Sequence, residues 1–134
     1  MLRAAAGLVA LAGAGIAGYL TWSHYADASV LCVAGTECGA VQSSEYAFIA
    51  GIPVAVLGLA AYATILALIA WDAPVARLAA AALALVGLLF GLYLLAVQLF
   101  VIDAVCSWCL ANDVVVAPAL AVLTGLRLRL SAAV

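Results

Sequence analysis

Four cysteines carry the chemistry that this chain can perform: Cys32, Cys38, Cys106 and Cys109. They form two pairs, spaced C-x5-C and C-x2-C. Paired thiols cycle between dithiol and disulfide, and the thiolate is the attacking species. In Cys106-Ser107-Trp108-Cys109 the i, i+3 spacing puts both sulfurs on one face of a helix start. The partial positive charge of a helix N-terminus favours a thiolate there. Three other uses of the same residues stay open on spacing alone. Four thiolates can hold a structural zinc, two disulfides can staple a loop to a bundle, and free cysteines can serve as small apolar filler.

The elements that position these cysteines follow from composition. Of the 134 residues, 72 % are hydrophobic and 7 % charged, with a mean hydropathy of +1.40. A soluble domain is roughly 45–50 % apolar and about 25 % charged, and a chain this short has too little interior to hide the excess. A soluble globular domain, a disordered chain, a nucleic-acid binder and a disulfide-stapled secreted domain are therefore excluded. At about 20 residues per spanning helix there is room for four spans and one sizeable loop. The expected fold is an all-α membrane protein. It is a single domain over 1–134, a four-transmembrane-helix bundle in a lipid bilayer with no nucleic-acid partner.

The charged residues delimit the spans. Uncharged runs cover Ala4–Ser23, Tyr46–Trp71 and Leu78–Ile102. They are continuous, without the period-2 alternation of a barrel. Val114–Leu126 is too short to cross at about 1.5 Å per residue, so the last span is extended back to Cys106. The expected helices are about 4–23, 46–71, 77–102 and 106–126, with a long external loop over 24–45 joining the first two. Gly13, Gly15 and Gly18 would let a neighbour approach the first helix closely. Pro53 and Pro118 are expected to adjust helix geometry. His24 is expected in an aromatic belt with Trp22 and Tyr25, and Gln98 in a hydrogen bond within the bundle.

Arg3, Arg77, Arg127 and Arg129 all fall at one end of this arrangement. The positive-inside rule makes that end cytoplasmic, with both termini there. All four cysteines then lie at the outer face, where the compartment outside a bacterial inner membrane is oxidising. That segregation favours redox pairs over scattered filler. A cleaved signal peptide competes for the first span, through Arg3, an apolar stretch and Ala26-Asp27-Ala28. The twenty-residue run exceeds the usual 7–15-residue apolar core of such peptides, which favours a retained helix.

Several motifs in fixed order carry a resemblance. They are Cys32-x5-Cys38, Ser44-Glu45-Tyr46-Ala47, Gly51-Ile52-Pro53-Val54, Gly58, Tyr62 and finally Cys106-Ser107-Trp108-Cys109. Together they resemble the vitamin K epoxide reductase family, in its bacterial disulfide-forming branch. The resemblance implies a four-helix bundle around a quinone (ubiquinone or menaquinone), capped by the long loop. It implies a membrane thiol–quinone oxidoreductase of the inner (plasma) membrane, with its site facing the extracytoplasmic side. Carried over by position, Cys32 faces a thioredoxin-like, DsbA-like partner. Cys38 shuttles to Cys106, Cys109 lies beside the quinone ring, and Ser44 supports the site. Some bacterial relatives carry a fused thioredoxin domain. This chain ends at Val134, so a separate partner is expected.

The resemblance also implies a tyrosine one turn past the CxxC in vitamin K-reducing members; that position is Asp113 here. With the loop spacing of five, this favours disulfide formation over vitamin K or quinone epoxide reduction; a non-enzymatic metal-binding or structural role is the further alternative, separated by the reactivity of the thiols. In a regular helix from Cys106, Asp113 falls on the face of Cys109 and Cys106. A carboxyl buried there tends to be neutral. Asp113 is therefore expected to line the quinone pocket and donate a hydrogen bond or proton, with a helix N-cap as the alternative.

Overall fold

The structure is a computed structural model and describes residues 1–27, 31–32 and 38–132. Ala28, named above in the cleavage motif, lies outside the described residues. The spans are α1 (Leu2–Tyr25), α3 (Val54–Trp71), α4 (Pro74–Val97, continuing as a wider π-helical turn over Gln98–Ile102), and a last span over Ser107–Ser131. A short helix α2 (Cys38–Gln42) lies between α1 and α3. The last span opens as α5 (Ser107–Leu110), widens into a π-helical turn over Ala111–Val116 and continues as α6 (Ala117–Ala132). Four helices are long and apolar enough to cross a membrane, so the chain is an all-α, multi-pass membrane bundle.

The second span begins at Val54, whereas the uncharged run predicts a helix from about residue 46. Glu45–Ala47 form a 3-10 turn, and β1 (Phe48–Ile49) pairs antiparallel with β2 (Ile52–Pro53). The sequence explains the departure. Pro53 has no N–H to give a helix, its ring would crowd the carbonyl of Ile49, and it biases Ile52 toward extended backbone. The two residues joining the strands, Ala50 and Gly51, have φ of 54° and 83°, as the tight two-residue hairpin turn requires.

α1 packs on α3 and α6, and α4 packs on the same two helices. This closes an up-and-down ring of four. The buried positions of α1 run Ala6, Ala10, Gly13, Ala17 and Leu20, spaced alternately four and three as in a coiled-coil seam, with Ser23 buried a further three residues on. α3 answers with Tyr62, Ile65 and Ile69, α4 with Ala84, and the last span with Val116 and Leu120. Lipid tails are as apolar as these side chains, so small residues that let backbones approach replace the hydrophobic drive between helices. Only one of the three glycines noted in α1 meets that need fully. A Cβ on Gly13 would collide with the Tyr62 ring, Gly18 faces Leu59 at 3.8 Å, and Gly15 meets nothing within 4 Å.

The arginines gather at one end. Arg3 donates to the carbonyls of Ile69 (3.2 Å) and Ala70 (2.9 Å). Asp72 at the same end pairs with Arg77 at 2.9 Å and Arg127 at 2.5 Å. The Arg77 hydrogen bond holds its carboxyl below the usual carboxylate range. The cysteines, α2 and the hairpin occupy the opposite end. His24 stands on the rings of Tyr25 and Phe48 there, tying α1 to the hairpin.

Gly13→Ala is expected to destabilise the bundle by about 1–3 kcal/mol through overpacking. Gly15→Ala, on an exposed face, is expected to stay within about 0.5 kcal/mol. Thermal unfolding in detergent checks the pair; equal effects would contradict the packing described.

Candidate active site

Side chains from two spans hold the cysteine-bearing loop. The Leu31 N–H donates to the Tyr19 hydroxyl of α1 at 2.9 Å. The Leu31 carbonyl accepts from the Trp108 indole at 2.5 Å, and the Tyr19 and Trp108 rings lie 5.1 Å apart. Leu31 is thus gripped from both sides just before Cys32. Cys32 and Cys38 form a disulfide, and the Cys38 N–H points at the Cys32 sulfur at 3.3 Å. Cys38 and Val41, i and i+3 on α2, turn inward onto Ala104 and Cys106, with Cys32, Ile102, Trp108 and Cys109 packed around them. All four sequence-predicted cysteines therefore belong to one cluster.

Cys106 is extended (φ −101°, ψ 122°) and precedes the helix. It is fully buried, and its N–H donates to the Gln98 side-chain carbonyl at 3.0 Å. The next residue joins the pairs: Ser107 Oγ lies 3.6 Å from Cys32 Sγ and 3.7 Å from Cys38 Sγ. Cys106 and Cys109 are thiols. Gln42, the last residue of α2, brings its Nε2 to 3.2 Å from Cys109 Sγ and 4.0 Å from Cys106 Sγ. The hydrogen bond from the Cys109 thiol lowers the Cys106 thiol to about 6. Backbone N–H groups of Cys109 and Trp108 and the Gln42 amide add to this, against the opposing effect of burial. A cysteine ordinarily titrates near 8.5, so these contacts favour the thiolate form of Cys106.

Beneath the cluster a cavity of about 360 Å³ runs between the four spans. Its walls are mostly aliphatic. Its polar groups concentrate at the cysteine end in Cys109, Asn112, Tyr62, Gln42, Gln98 and Ser44. The Tyr62 hydroxyl donates to Asn112 Oδ1. The Ser44 hydroxyl is engaged by the Val41 carbonyl at 2.8 Å, so Ser44 forms wall and closes α2. Ile49, Leu57 and Val86 line the cavity and are also exposed on the outside. The cavity therefore opens sideways toward lipid.

Asp113 stands directly beside the cavity, against Gly91 of its lining, and is not itself one of the lining residues. The lining passes through Asn112, while Asp113 turns to α4, where a Cβ on Gly91 would come within 2.9 Å of its Oδ1. It is 3 % exposed. Oδ1 accepts from Asn112 Nδ2 at 3.0 Å, and Oδ2 has no partner among the described residues. The prediction assumed a regular helix from Cys106. The helix starts one residue later and then widens, with the Ala117 N–H bonding the Asn112 carbonyl five residues back. Pro118, which has no N–H and crowds the carbonyl four residues before it, follows that turn. Asn112 and Gln42 escaped the sequence reading. Each stands a helical turn from a cysteine, Asn112 after Cys109 and Gln42 after Cys38, and that spacing is the signal that could have found them.

Compared with protein families, residues 4–124 match the one described as the Vitamin K epoxide reductase family. No curated protein matches the chain. An apolar cavity with a few convergent polar groups, a thiol in its wall and a mouth on the lipid side fits a lipid-soluble quinone.

Ultraviolet titration of the reduced inner pair is expected to show one thiolate half-formed near pH 6, present above that pH and lost below it. Cys106→Ala is expected to abolish that phase. A first thiolate appearing only near 8.5 would contradict the Cys106 environment.

Proposed function

This chain belongs to the vitamin K epoxide reductase family, and from that premise we propose that it oxidises a separate thioredoxin-like, DsbA-like protein and passes the electrons to a membrane quinone, supporting disulfide formation. The observation that carries the reading is the continuity of the path. The Ser107 hydroxyl touches both sulfurs of the loop disulfide, Cys106 is buried next to Cys38, and Cys109 opens on the cavity.

The steps balance as thiol exchange. A partner thiolate attacks Cys32, and its second thiol resolves that bond, leaving Cys32 and Cys38 reduced. The Cys38 thiolate attacks Cys106 of an inner disulfide and releases Cys109. Cys32 then attacks Cys38, restoring the loop disulfide and leaving Cys106 and Cys109 reduced. That final state matches the pairing in the structure. A bound quinone supplies an acceptor for two electrons and two protons. Cys109, the Tyr62–Asn112 pair and the Ser44 wall would hold it at the cysteine end; Asp113 serves by fixing the Asn112 amide. The energetics support such an acceptor. A DsbA-like carrier sits near −120 mV, above any glutathione-type pool, so re-oxidising it demands a higher potential.

The orientation that goes with this reading puts both termini in the cytoplasm and the cysteines outside the inner membrane, as the arginine end suggests. A membrane-impermeant maleimide applied to intact cells after reduction is expected to label the cysteines. Protection until permeabilisation would reverse the orientation.

The purified protein is expected to reduce quinone when supplied with a reduced thioredoxin-like carrier; no turnover with any quinone would sink the proposal. Loss of a resolving thiol traps the mixed disulfide. Cys109→Ala should therefore accumulate a Cys38–Cys106 bond, and Cys38→Ala a Cys32 adduct with the carrier. Finding only Cys32–Cys38 and Cys106–Cys109 bonds across these variants and the parent would mark the pairs as inert staples.

A further inference from the structure

α2 carries two groups aimed at the two cysteine pairs. Cys38 opens the helix and Gln42 closes it, and residues four apart share a helix face. Cys38 Sγ meets Ser107. Gln42 Nε2 reaches over the inner pair, closer to Cys109 (3.2 Å) than to Cys106 (4.0 Å). An amide nitrogen only donates, so its contact with sulfur is useful when the sulfur accepts. Hydrogen bonds to ionised acceptors are roughly twice as strong as neutral ones.

We propose that Gln42 is the hydrogen-bond donor that receives the negative charge released on Cys109 when thiol exchange opens the inner disulfide. The inference rests on the relay reading above and adds a residue to it. In the step concerned, the Cys38 thiolate attacks the Cys106 sulfur. The Cys38–Cys106 bond forms, the Cys106–Cys109 bond breaks, and Cys109 leaves with the electron pair. No oxidant or reductant is needed beyond the two pairs. The new charge appears at the wall of an aliphatic cavity, where an unpaired anion is costly. A donor already aimed at that sulfur lowers the cost without reorganising, as donors to a developing oxyanion do. Attacking thiolate and charge-receiving amide belong to one five-residue helix, so they approach and withdraw together.

The test uses the full chain in detergent with Cys106→Ala as background, so that Cys109 ionises without a competing inner thiolate, and with the loop disulfide intact. Cys109 alkylation by iodoacetamide is followed against pH by peptide mapping. Gln42→Met keeps the chain length and removes the donor; Gln42→Glu keeps the shape and replaces the donor with an acceptor. Ser43→Ala removes only a neighbouring hydroxyl that bonds the Ala40 carbonyl at 3.4 Å. Both Gln42 variants are expected to move the Cys109 profile to higher pH and slow alkylation at pH 7 by about ten- to hundredfold, the range for a hydrogen bond to a charged group. Ser43→Ala is expected to match the parent. A profile unchanged in whichever Gln42 variant folds overturns the proposal, as does a shift equally large in Ser43→Ala. Quinone turnover by the unsubstituted chain is measured alongside. Its absence with a shifted Gln42 profile counts against the relay alone; its presence with an unshifted profile counts against Gln42 alone.

Discussion

The hydrogen bond from the Cys106 N–H to the Gln98 side chain holds the functional end of the molecule together. Cys106 must leave helical geometry to face Cys38, so its N–H is lost to the helix while remaining fully buried. An unpaired N–H in that place would cost about 1–3 kcal/mol. Gln98 meets it from the first residue of the widened turn that ends the third span. The tie fixes the start of the last span relative to the end of the preceding one. It thereby sets which sulfur is enclosed against the loop and which opens on the cavity.

The same economy governs the rest of the cysteine end. The bilayer supplies no water for stray polar groups, so the polar side chains that line the cavity there are paired within the protein. Gln42 meets the inner sulfurs, Ser44 the Val41 carbonyl, Tyr62 the Asn112 amide, and Asn112 the Asp113 carboxylate. The opposite end follows the same rule with charges, where Asp72 bridges Arg77 and Arg127. Between these ends the bundle is held by alanine and glycine seams with little chemistry of their own.

What was legible in the sequence follows from how local each signal is. Uncharged runs bounded by Arg3, His24, Asp72 and Asp103 mark the helices because charge is excluded from hydrocarbon. The spacing of Cys32 and Cys38, and of Cys106 and Cys109, marks the two cysteine pairs that the fold brings together. The hairpin over 48–53 was hidden because apolar composition outweighed Gly51 and Pro53, two residues that membrane helices also tolerate. The exact register of Asp113 was not legible because a π-helical turn has no composition of its own; it arises where the chain before Pro118 loses a regular bond. The Leu31 grip by Tyr19 and Trp108 joins residues far apart in sequence, and no spacing rule reaches that distance.

The sideways mouth of the cavity, bounded by Ile49, Leu57 and Val86, changes the dimensionality in which a ligand is encountered. A molecule entering there arrives by diffusion within the plane of the bilayer, already desolvated. Its effective concentration is its mole fraction among lipids rather than its molarity in buffer. Occupancy then follows membrane composition, viscosity and tail length. Vesicles holding the same total ligand but different amounts of lipid would present the protein with different doses.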